Sequence, residues 1–360
     1  MCNQSKTTPH RHSIHCILPP HMLSEIAKNG TTPQREFAIE TLSVDNSFRN
    51  FRATNVASGA QRQMLAAMPG TTAALKRTIY DAGNEQSLPG DVVRAEGAPA
   101  SGDASVDEAY DGLGATYELF FEEFKRNSID DAGMPLNATV HFDEDYDNAF
   151  WNGSQMVFGD GDGELFTRFT ASVDVIGHEL SHGVTEVEAG LVYEGQSGAL
   201  NESVSDVFGS LVKQYGLKQT ADQADWLIGA QLFLEPGPNR QAIRSMKAPG
   251  TAYDDNVLGK DPQPATMADY VVTVQDNGGV HINSGIPNHA FYLAAVAIGG
   301  HAWEKAGKIW YDTLLDARLK PKSTFRAFAK LTRSNAEKLF GVGSAEAKAV
   351  IQAWKDVGVL

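Results

Sequence analysis

The sequence Gly-His-Glu-Leu-Ser-His at positions 177–182 is the stretch from which the fold can be predicted. His178 and His182 are four residues apart, so a helix would place both imidazole rings on one face, one turn apart. That spacing suits two nitrogen bonds of about 2.0 Å to a single Zn²⁺. Glu179 can reach a metal-bound water without binding the metal itself. The segment therefore predicts a helix that carries a catalytic zinc site.

A second segment, Asn-Glu-Ser-Val-Ser-Asp at 201–206, repeats the four-residue spacing with Glu202 and Asp206. Glu202 is predicted to be the third zinc ligand, which leaves the fourth position open for water, as in catalytic zinc sites. Asp206 is predicted to bind the far ring nitrogen of His178 or His182 and fix its tautomer. The alternative, a structural zinc site, would need a fourth protein ligand and usually cysteine.

Two further motifs stand in order along the chain: Asn-Ala-Phe-Trp-Asn-Gly at 148–153 and Asp-Asn-Gly-Gly-Val-His-Ile-Asn-Ser-Gly at 276–285. With the segments above, they resemble the thermolysin-like family of zinc metallopeptidases, and the resemblance extends from about residue 76 to residue 360. Ahead of it, Pro-Pro-His-Met-Leu at 19–23 resembles the short propeptide of the protealysin-type subgroup. The resemblance implies a zinc-dependent endopeptidase for peptide or protein substrates, made as a precursor that its own propeptide inhibits.

The resemblance implies a role for each polar residue of the site. Glu179 is expected to be the general base that takes a proton from water and passes it to the leaving amine. Tyr193 and His281 are expected to donate hydrogen bonds to the developing oxyanion, with Asp276 orienting His281. The residues expected to bind the substrate backbone are Asn148, Ala149 and Arg244.

The resemblance also implies a hydrophobic pocket for the residue that follows the scissile bond. The expected lining residues are Phe166, Phe169, Val175, Ile228 and Ile243. Such a pocket predicts cleavage on the N-terminal side of bulky hydrophobic residues. The alternative is a non-catalytic binding protein on a peptidase scaffold, which the loss of Glu179 or His281 would indicate, and both residues are present.

The order of the patterns predicts an α+β fold with a β-rich N-terminal lobe and an α-helical C-terminal lobe. The zinc-site helix is expected between the lobes, and a short propeptide is expected ahead of them. The predicted domains are 1–55 for the propeptide, 56–171 for the β-rich lobe and 172–360 for the helical lobe.

Local patterns give the individual elements. Alternating residues predict strands, and apolar periodicity predicts helices. The predicted strands are 77–81, 138–142 and 155–158, and the predicted helices of the site are 172–188 and 199–215. Ser105 and Glu108 predict a capping box that opens a long helix. The mixed composition of 48–59 predicts a linker that contains the propeptide cleavage zone.

The chain has 360 residues, a formal net charge of −15 and a pI near 5.1. Without a basic stripe, neither nucleic acid nor an anionic membrane is expected as a partner. No apolar run approaches the roughly 18 residues of a transmembrane helix. Residues 1–16 lack the apolar core of a signal peptide. We therefore expect a secreted protein without a recognisable signal peptide, and the alternative is a cytoplasmic peptidase.

Calcium is doubtful as a second metal. Where thermolysin carries a double calcium cluster, Asp174 and Asp225 remain, but Lys213, Leu227 and Ala230 replace acidic ligands. A lysine ammonium at that place can neutralise the remaining carboxylates instead of a metal. The expected cofactor is zinc, and calcium stays doubtful.

The leader contains several metal-binding residue types, including both cysteines of the chain: Cys2, His10, His12, His15, Cys16 and His21. One interpretation is a metal-scavenging tail. Another places the Cys16 thiolate at the open zinc position as a latency switch. The interpretation that the resemblance favours is a polar tail followed by a segment that packs on the cleft.

Overall fold

The computed structural model describes residues 15–57 and 74–360. Six strands form one mixed sheet in the order β1-β5-β6-β4-β2-β3. They are β1 (His15–Cys16), β2 (Arg77–Glu85), β3 (Asp91–Ala95), β4 (Leu136–Phe142), β5 (Ala149–Trp151) and β6 (Met156–Phe158). β4 pairs in parallel with β2 and β6, and the remaining pairs are antiparallel. The metal-scavenging interpretation of the leader is not tested for Cys2, His10 and His12, which lie outside the described residues.

The leader contributes β1 and two helices, α1 (Pro20–Asn29) and α2 (Thr32–Ala57). Pro20 begins α1, where its missing N–H has no intrahelical partner to lose. The helix buries Met22, Leu23 and Ile26 on one face. The predicted linker at 48–59 was wrong as far as Ala57, because α2 continues to that residue.

α2 packs on the sheet through Val44 and Phe48. Val44 belongs to a buried cluster with Phe142 and Phe150, and the Phe48 ring lies 5.0 Å from the Phe150 ring. The position of the boundary between propeptide and peptidase, proposed at residue 55, stays a prediction.

Helices dominate the chain after the sheet. The helices are α3 (Ala104–Phe124), α4 (Val173–Glu188), α5 (Gly195–Leu217), α6 (Asp276–Asn283), α7 (Gly285–Ile298), α8 (Lys308–Leu314), α9 (Phe325–Phe340) and α10 (Ala345–Asp356). Short 3₁₀ turns lie at Phe169–Ala171 and Met267–Asp269, and a π turn lies at Trp303–Gly307. Two-residue strands pair as β7 (Leu227–Ile228) with β8 (Arg244–Ser245) and β9 (Asp254–Asp255) with β10 (Gly259–Lys260). The α+β fold class is confirmed.

The predicted capping box at the start of α3 was wrong. The helix begins one residue earlier, and the Asp103 carboxylate caps it by accepting from the Val106 N–H at 3.1 Å. Glu108 faces away from the helix end and accepts from the Arg168 guanidinium at 2.7 Å. An aspartate N-cap satisfies the same exposed N–H groups as the predicted serine would have done.

The predicted zinc-site helix agrees with α4, which the structure places between the sheet and the helical lobe. Every residue from Asp174 to Thr185 is buried, as expected for a helix surrounded by packed elements. Gly177 and Gly209 bring α4 and α5 close together. A Cβ on Gly209 would lie only 2.3 Å from the Asp174 carbonyl oxygen. This close crossing is what aligns the polar residues of α5 with the histidines of α4.

None of the helices within residues 15–57 and 74–360 has a stretch long and apolar enough to cross a membrane.

Candidate active site

The two histidines of α4 converge as their spacing predicts. His178 Nε2 and His182 Nε2 lie 2.9 Å apart, and both rings are fully buried. His178 Nδ1 donates to Asp206 Oδ1 at 2.8 Å, and His182 Nδ1 donates to Asn201 Oδ1 at 2.7 Å. These bonds place the protons on Nδ1, so both Nε2 lone pairs point toward one place. Two such nitrogens without a proton between them suit a shared metal ion.

Glu202 completes this group from α5. Its Oε2 lies 3.5 Å from His178 Nε2, and its Oε1 lies 3.5 Å from His182 Nε2. Ligand atoms at these separations are compatible with bonds of about 2.0–2.2 Å to one central ion. Glu202 Oε2 is buried without a hydrogen-bond partner among the described residues. A buried carboxylate oxygen in that state is costly unless it binds a cation, so the residues fit a zinc ion.

Glu179 is a second buried carboxylate beside the histidines. Ligand atoms of His178, Glu179 and His182 lie within 4.8 Å of one another, so Glu179 is an alternative ligand by distance alone. Its Oε2 accepts from the Trp151 N–H at 3.0 Å, which draws the group toward β5. Glu202 differs from Glu179 in that each of its two oxygens lies 3.5 Å from one of the ring nitrogens. Glu179 Oε1 has no hydrogen-bond partner among the described residues and remains available to a water.

Burial sets the proton affinity of Glu179. Desolvation, followed by the charge of Glu202, raises the pKa of Glu179 well above its ordinary value. A carboxylate with a raised pKa is a stronger base, as proton abstraction from water requires.

Tyr193 and His281 lie beside Glu202. The Tyr193 hydroxyl donates to Glu202 Oε1 and lies 3.2 Å from His281 Nε2. His281 Nδ1 donates to Asp276 Oδ1 at 2.6 Å, and the His281 main-chain N–H donates to Asp276 Oδ2 at 2.8 Å. Although burial opposes it, the charges of Asp276 and Glu202 raise the pKa of His281. A protonated His281 can donate from Nε2 to a carbonyl oxygen.

A left-handed turn at the start of α6 makes the Asp276–His281 contact. Asn277, Gly278 and Gly279 have φ of 49°, 85° and 75°. A Cβ on Gly278 would lie 3.1 Å from the Gly195 nitrogen, so both the dihedral and the close approach favour glycine. The turn reverses the chain and brings the carboxylate of Asp276 back to His281.

Arg244 connects the metal group to the cleft. Its Nε and Nη2 donate to the two oxygens of Asp206, each at 2.8 Å, in a bidentate pair. Despite burial, Arg244 and His178 hold the pKa of Asp206 below its usual range. The third nitrogen, Nη1, donates to the Ile17 carbonyl oxygen at 2.9 Å.

The leader occupies the cleft beside these residues. β1 adds to the edge of the sheet by pairing antiparallel with β5, with Cys16 opposite Phe150. Ile17 N–H donates to the Ala149 carbonyl oxygen at 3.2 Å, and Leu18 N–H donates to Asn148 Oδ1 at 3.0 Å. Strand addition of this kind is how many proteins bind an extended peptide. The expected substrate-binding groups of Asn148 and Ala149 are therefore in contact with the leader.

The Cys16 side chain packs in an apolar cluster beside the site. Cys16 belongs to a buried apolar cluster with Val44, Phe142 and Phe150. Paired residues of adjacent strands share a face of the sheet, so the thiol lies on the Phe150 face with α2. Burial, followed by nearby charges that include the Cys16 thiol, raises the pKa of Tyr193, so the thiol is also near the active site. The latency switch, in which the Cys16 thiolate takes the open zinc position, stays a prediction.

Three polar residues of the site were missed by sequence reasoning. Asn201 orients His182, and Asn288 donates to Asp206 Oδ2 at 2.8 Å. Asp45 of the leader accepts from the Asn148 amide at 3.0 Å. Asn201 directly precedes the predicted ligand Glu202, and this position was the one available signal.

The lysine predicted to replace calcium lies among the expected carboxylates. Lys213 Nζ donates to Asp174 Oδ2 at 2.7 Å and to the Leu227 carbonyl oxygen at 2.6 Å, and it lies 3.0 Å from Asp225 Oδ1. Although burial opposes it, the two aspartates raise the pKa of Lys213. The ammonium group is therefore positively charged at neutral pH.

Comparison with known proteins now decides the family. Residues 38–186 match the family described as "Thermolysin metallopeptidase, catalytic domain", and residues 189–359 match that described as "Thermolysin metallopeptidase, alpha-helical domain". The chain belongs to the thermolysin family of metallopeptidases. Thermolysin-family membership and the converging histidines together make the chain a metalloendopeptidase.

Relatives of the chain include bacterial proteases and the precursor of a metalloproteinase. The chain is 55% identical to an extracellular metalloprotease of Pectobacterium carotovorum subsp. carotovorum over 343 residues, covering 95% of this chain and 96% of that protein. It is 52% identical to protease PrtS of Photorhabdus sp. (strain Az29) over 345 residues, covering 95% and 91%. The solved structure of the precursor of protealysin, a metalloproteinase from Serratia proteamaculans, matches with a TM-score of 0.86 and 55% identity, covering 96% of this chain and 100% of that one. The predicted protealysin-type subgroup is confirmed.

Proposed function

We propose that this metalloendopeptidase uses zinc and hydrolyses peptide bonds on the N-terminal side of bulky hydrophobic residues. The observation that carries the proposal is the convergence of two Nδ1-protonated histidines and Glu202 on one buried place. When bound there, zinc supplies Lewis acidity and an acidified water.

Residues of the chain carry out proton transfer and stabilise the negative charge that develops during the reaction. Glu179 accepts a proton from water and delivers it to the departing nitrogen, for which its raised pKa suits it. His281 and Tyr193 donate to the oxygen on which negative charge develops, and Asp276 keeps His281 protonated and oriented. Each such donor is typically worth about 10²–10³ in rate.

Substrate binding is proposed at the edge of β5. Ala149 and Asn148 would hold the main chain of an extended peptide, and Arg244 would donate to the carbonyl oxygen after the scissile bond. The expected pocket residues support a hydrophobic preference because all of them are buried in the same apolar core: Phe166, Phe169, Val175, Ile228 and Ile243. Profiling cleavage of a peptide library tests this preference, and cleavage before Lys or Asp would contradict it.

We propose further that the chain is made as a self-inhibited precursor and is secreted. Leader residues 16–18 contact the groups that would hold a substrate, which supports inhibition by the propeptide. Relatives named as extracellular proteases support secretion.

Comparing wild type with Glu179→Gln tests the catalytic role. Both proteins should bind one zinc ion per chain, because Glu179 is not a ligand in this proposal. The wild type should hydrolyse casein once its leader is removed. The variant should hydrolyse it at least about 10³-fold more slowly, because it lacks the general base. Equal rates would refute the role of Glu179. Zinc without hydrolysis in the wild type would instead favour the non-catalytic binding protein.

A further inference from the structure

The main chain of leader residues 16–18 meets the active site as a bound substrate would. The Cys16 carbonyl oxygen lies 3.0 Å from His281 Nε2, the donor assigned to the reacting carbonyl. Ile17 N–H donates to the Ala149 carbonyl oxygen at 3.2 Å, and the Ile17 carbonyl oxygen accepts from Arg244 at 2.9 Å. The peptide bond between these two contacts joins Cys16 to Ile17.

The next residue continues the same alignment. Leu18 N–H donates to Asn148 Oδ1 at 3.0 Å, so successive main-chain groups of the leader follow the edge of β5 in register. An antiparallel strand alternates its side chains between the two faces of a sheet. Cys16 lies on the Phe150 face, and Ile17 therefore turns toward α4.

Ile17 also has the side chain that the proposed specificity requires. It is fully buried in the apolar core that contains Phe166, Val175 and Ile243 of the expected pocket. The residue directly after the Cys16 carbonyl is thus bulky and hydrophobic. Backbone direction, hydrogen bonds and side-chain type all single out one bond.

We propose that the Cys16–Ile17 peptide bond is itself a substrate of this active site, so that the precursor cleaves its own leader there. The inference rests on the proposed function. The oxygen of a water molecule bonds to the Cys16 carbonyl carbon, and the C–N bond to Ile17 breaks. Glu179 transfers the water proton to the Ile17 nitrogen, which leaves as an amine. The second proton of the water passes to the new amine, so Cys16 keeps a carboxylate and Ile17 begins with an ammonium group.

The experiment uses the zinc-saturated full-length precursor and its Glu179→Gln variant, followed by intact mass and N-terminal sequencing. The wild type should give a species that begins at Ile17, and the variant should stay uncleaved. A wild type that hydrolyses casein after limited trypsin digestion but never yields the Ile17 terminus would overturn the inference alone. Failure of both casein hydrolysis and leader cleavage would overturn the proposed function and the inference with it.

A matched pair of variants tests the side-chain argument. Ile17→Ala should slow the appearance of the new terminus at least about 10-fold, because the pocket loses most of its contact. Ile39→Ala removes the same atoms from an exposed position of α2 and should leave the rate unchanged. Equal rates for the two variants would contradict the assignment of Ile17 to the pocket.

Hydrogen exchange provides a readout that does not depend on activity or on the folding of leader variants. In the Glu179→Gln precursor, the amides of Ile17 and Leu18 donate to protein acceptors and should exchange at least about 100-fold more slowly than in an unstructured peptide. Exchange of both amides at unstructured rates would overturn the proposed alignment.

Discussion

We expect that the stability of the wild type does not depend on calcium and that replacing Lys213 by Ala makes it depend on calcium. The ammonium group neutralises Asp174, whose side chain is 1% exposed, and Asp225, whose side chain is 49% exposed. Removing one partner of a buried ion pair typically costs about 3–5 kcal/mol. We expect the lower end, about 3 kcal/mol, because Asp174 keeps a hydrogen bond from the Ser172 hydroxyl at 2.6 Å.

The cost can be converted to a melting temperature. The unfolding entropy is about 2.1 cal/mol/K per residue, so the free energy of unfolding of the 360-residue chain changes by about 0.8 kcal/mol per degree near Tm. Lys213→Ala should therefore lower Tm by about 4 °C. If Ca²⁺ binds the freed carboxylates with a Kd of about 1 mM, about 10 mM Ca²⁺ should restore about 1.4 kcal/mol, or roughly 2 °C.

Thermal unfolding of the zinc-saturated precursor, with and without calcium, is the assay. A Glu179→Gln background prevents self-cleavage during the scan. Lys330→Ala, an exposed lysine of α9, is the matched control and should behave as the wild type does in both conditions. A wild type whose Tm falls when calcium is removed, or a Lys213→Ala protein as stable as wild type, would refute the reasoning.

Three further variants test other contacts. Cys16→Ser should leave the latency of the precursor unchanged, and early casein hydrolysis would support the thiolate-switch interpretation. Gly209→Ala should destabilise the fold by about 1–3 kcal/mol in urea titration, since its Cβ would lie 2.3 Å from the Asp174 carbonyl oxygen; full stability would contradict the tight helix crossing. Asp45→Ala removes the acceptor of two buried hydrogen bonds and should speed leader loss in a time course, whereas exposed Glu40→Ala should not. Equal time courses would argue against Asp45 as a leader contact.

The sequence was most informative where local pattern and chemistry coincide. The apolar run around the histidines predicted a helix at 172–188, and α4 spans Val173–Glu188. Four-residue spacing also placed Glu202 and Asp206 on one face of α5, next to the rings of α4. These predictions depend only on helical periodicity, which the surrounding fold does not change.

Contacts between distant segments could not be predicted in this way. β1 has two residues and exists because it pairs with β5, about 130 positions later in the chain, so no alternating pattern marks it. Asn201 and Asp45 are ordinary polar residues of helices until the fold brings them to His182 and Asn148.

The most direct test of the central claim is a crystal structure of the purified protein with anomalous scattering measured at the zinc edge. We predict one zinc ion within about 2.0–2.2 Å of His178 Nε2, His182 Nε2 and a Glu202 oxygen. Zinc bound elsewhere, or zinc bound to the histidines with Glu202 out of bonding reach, would contradict the account.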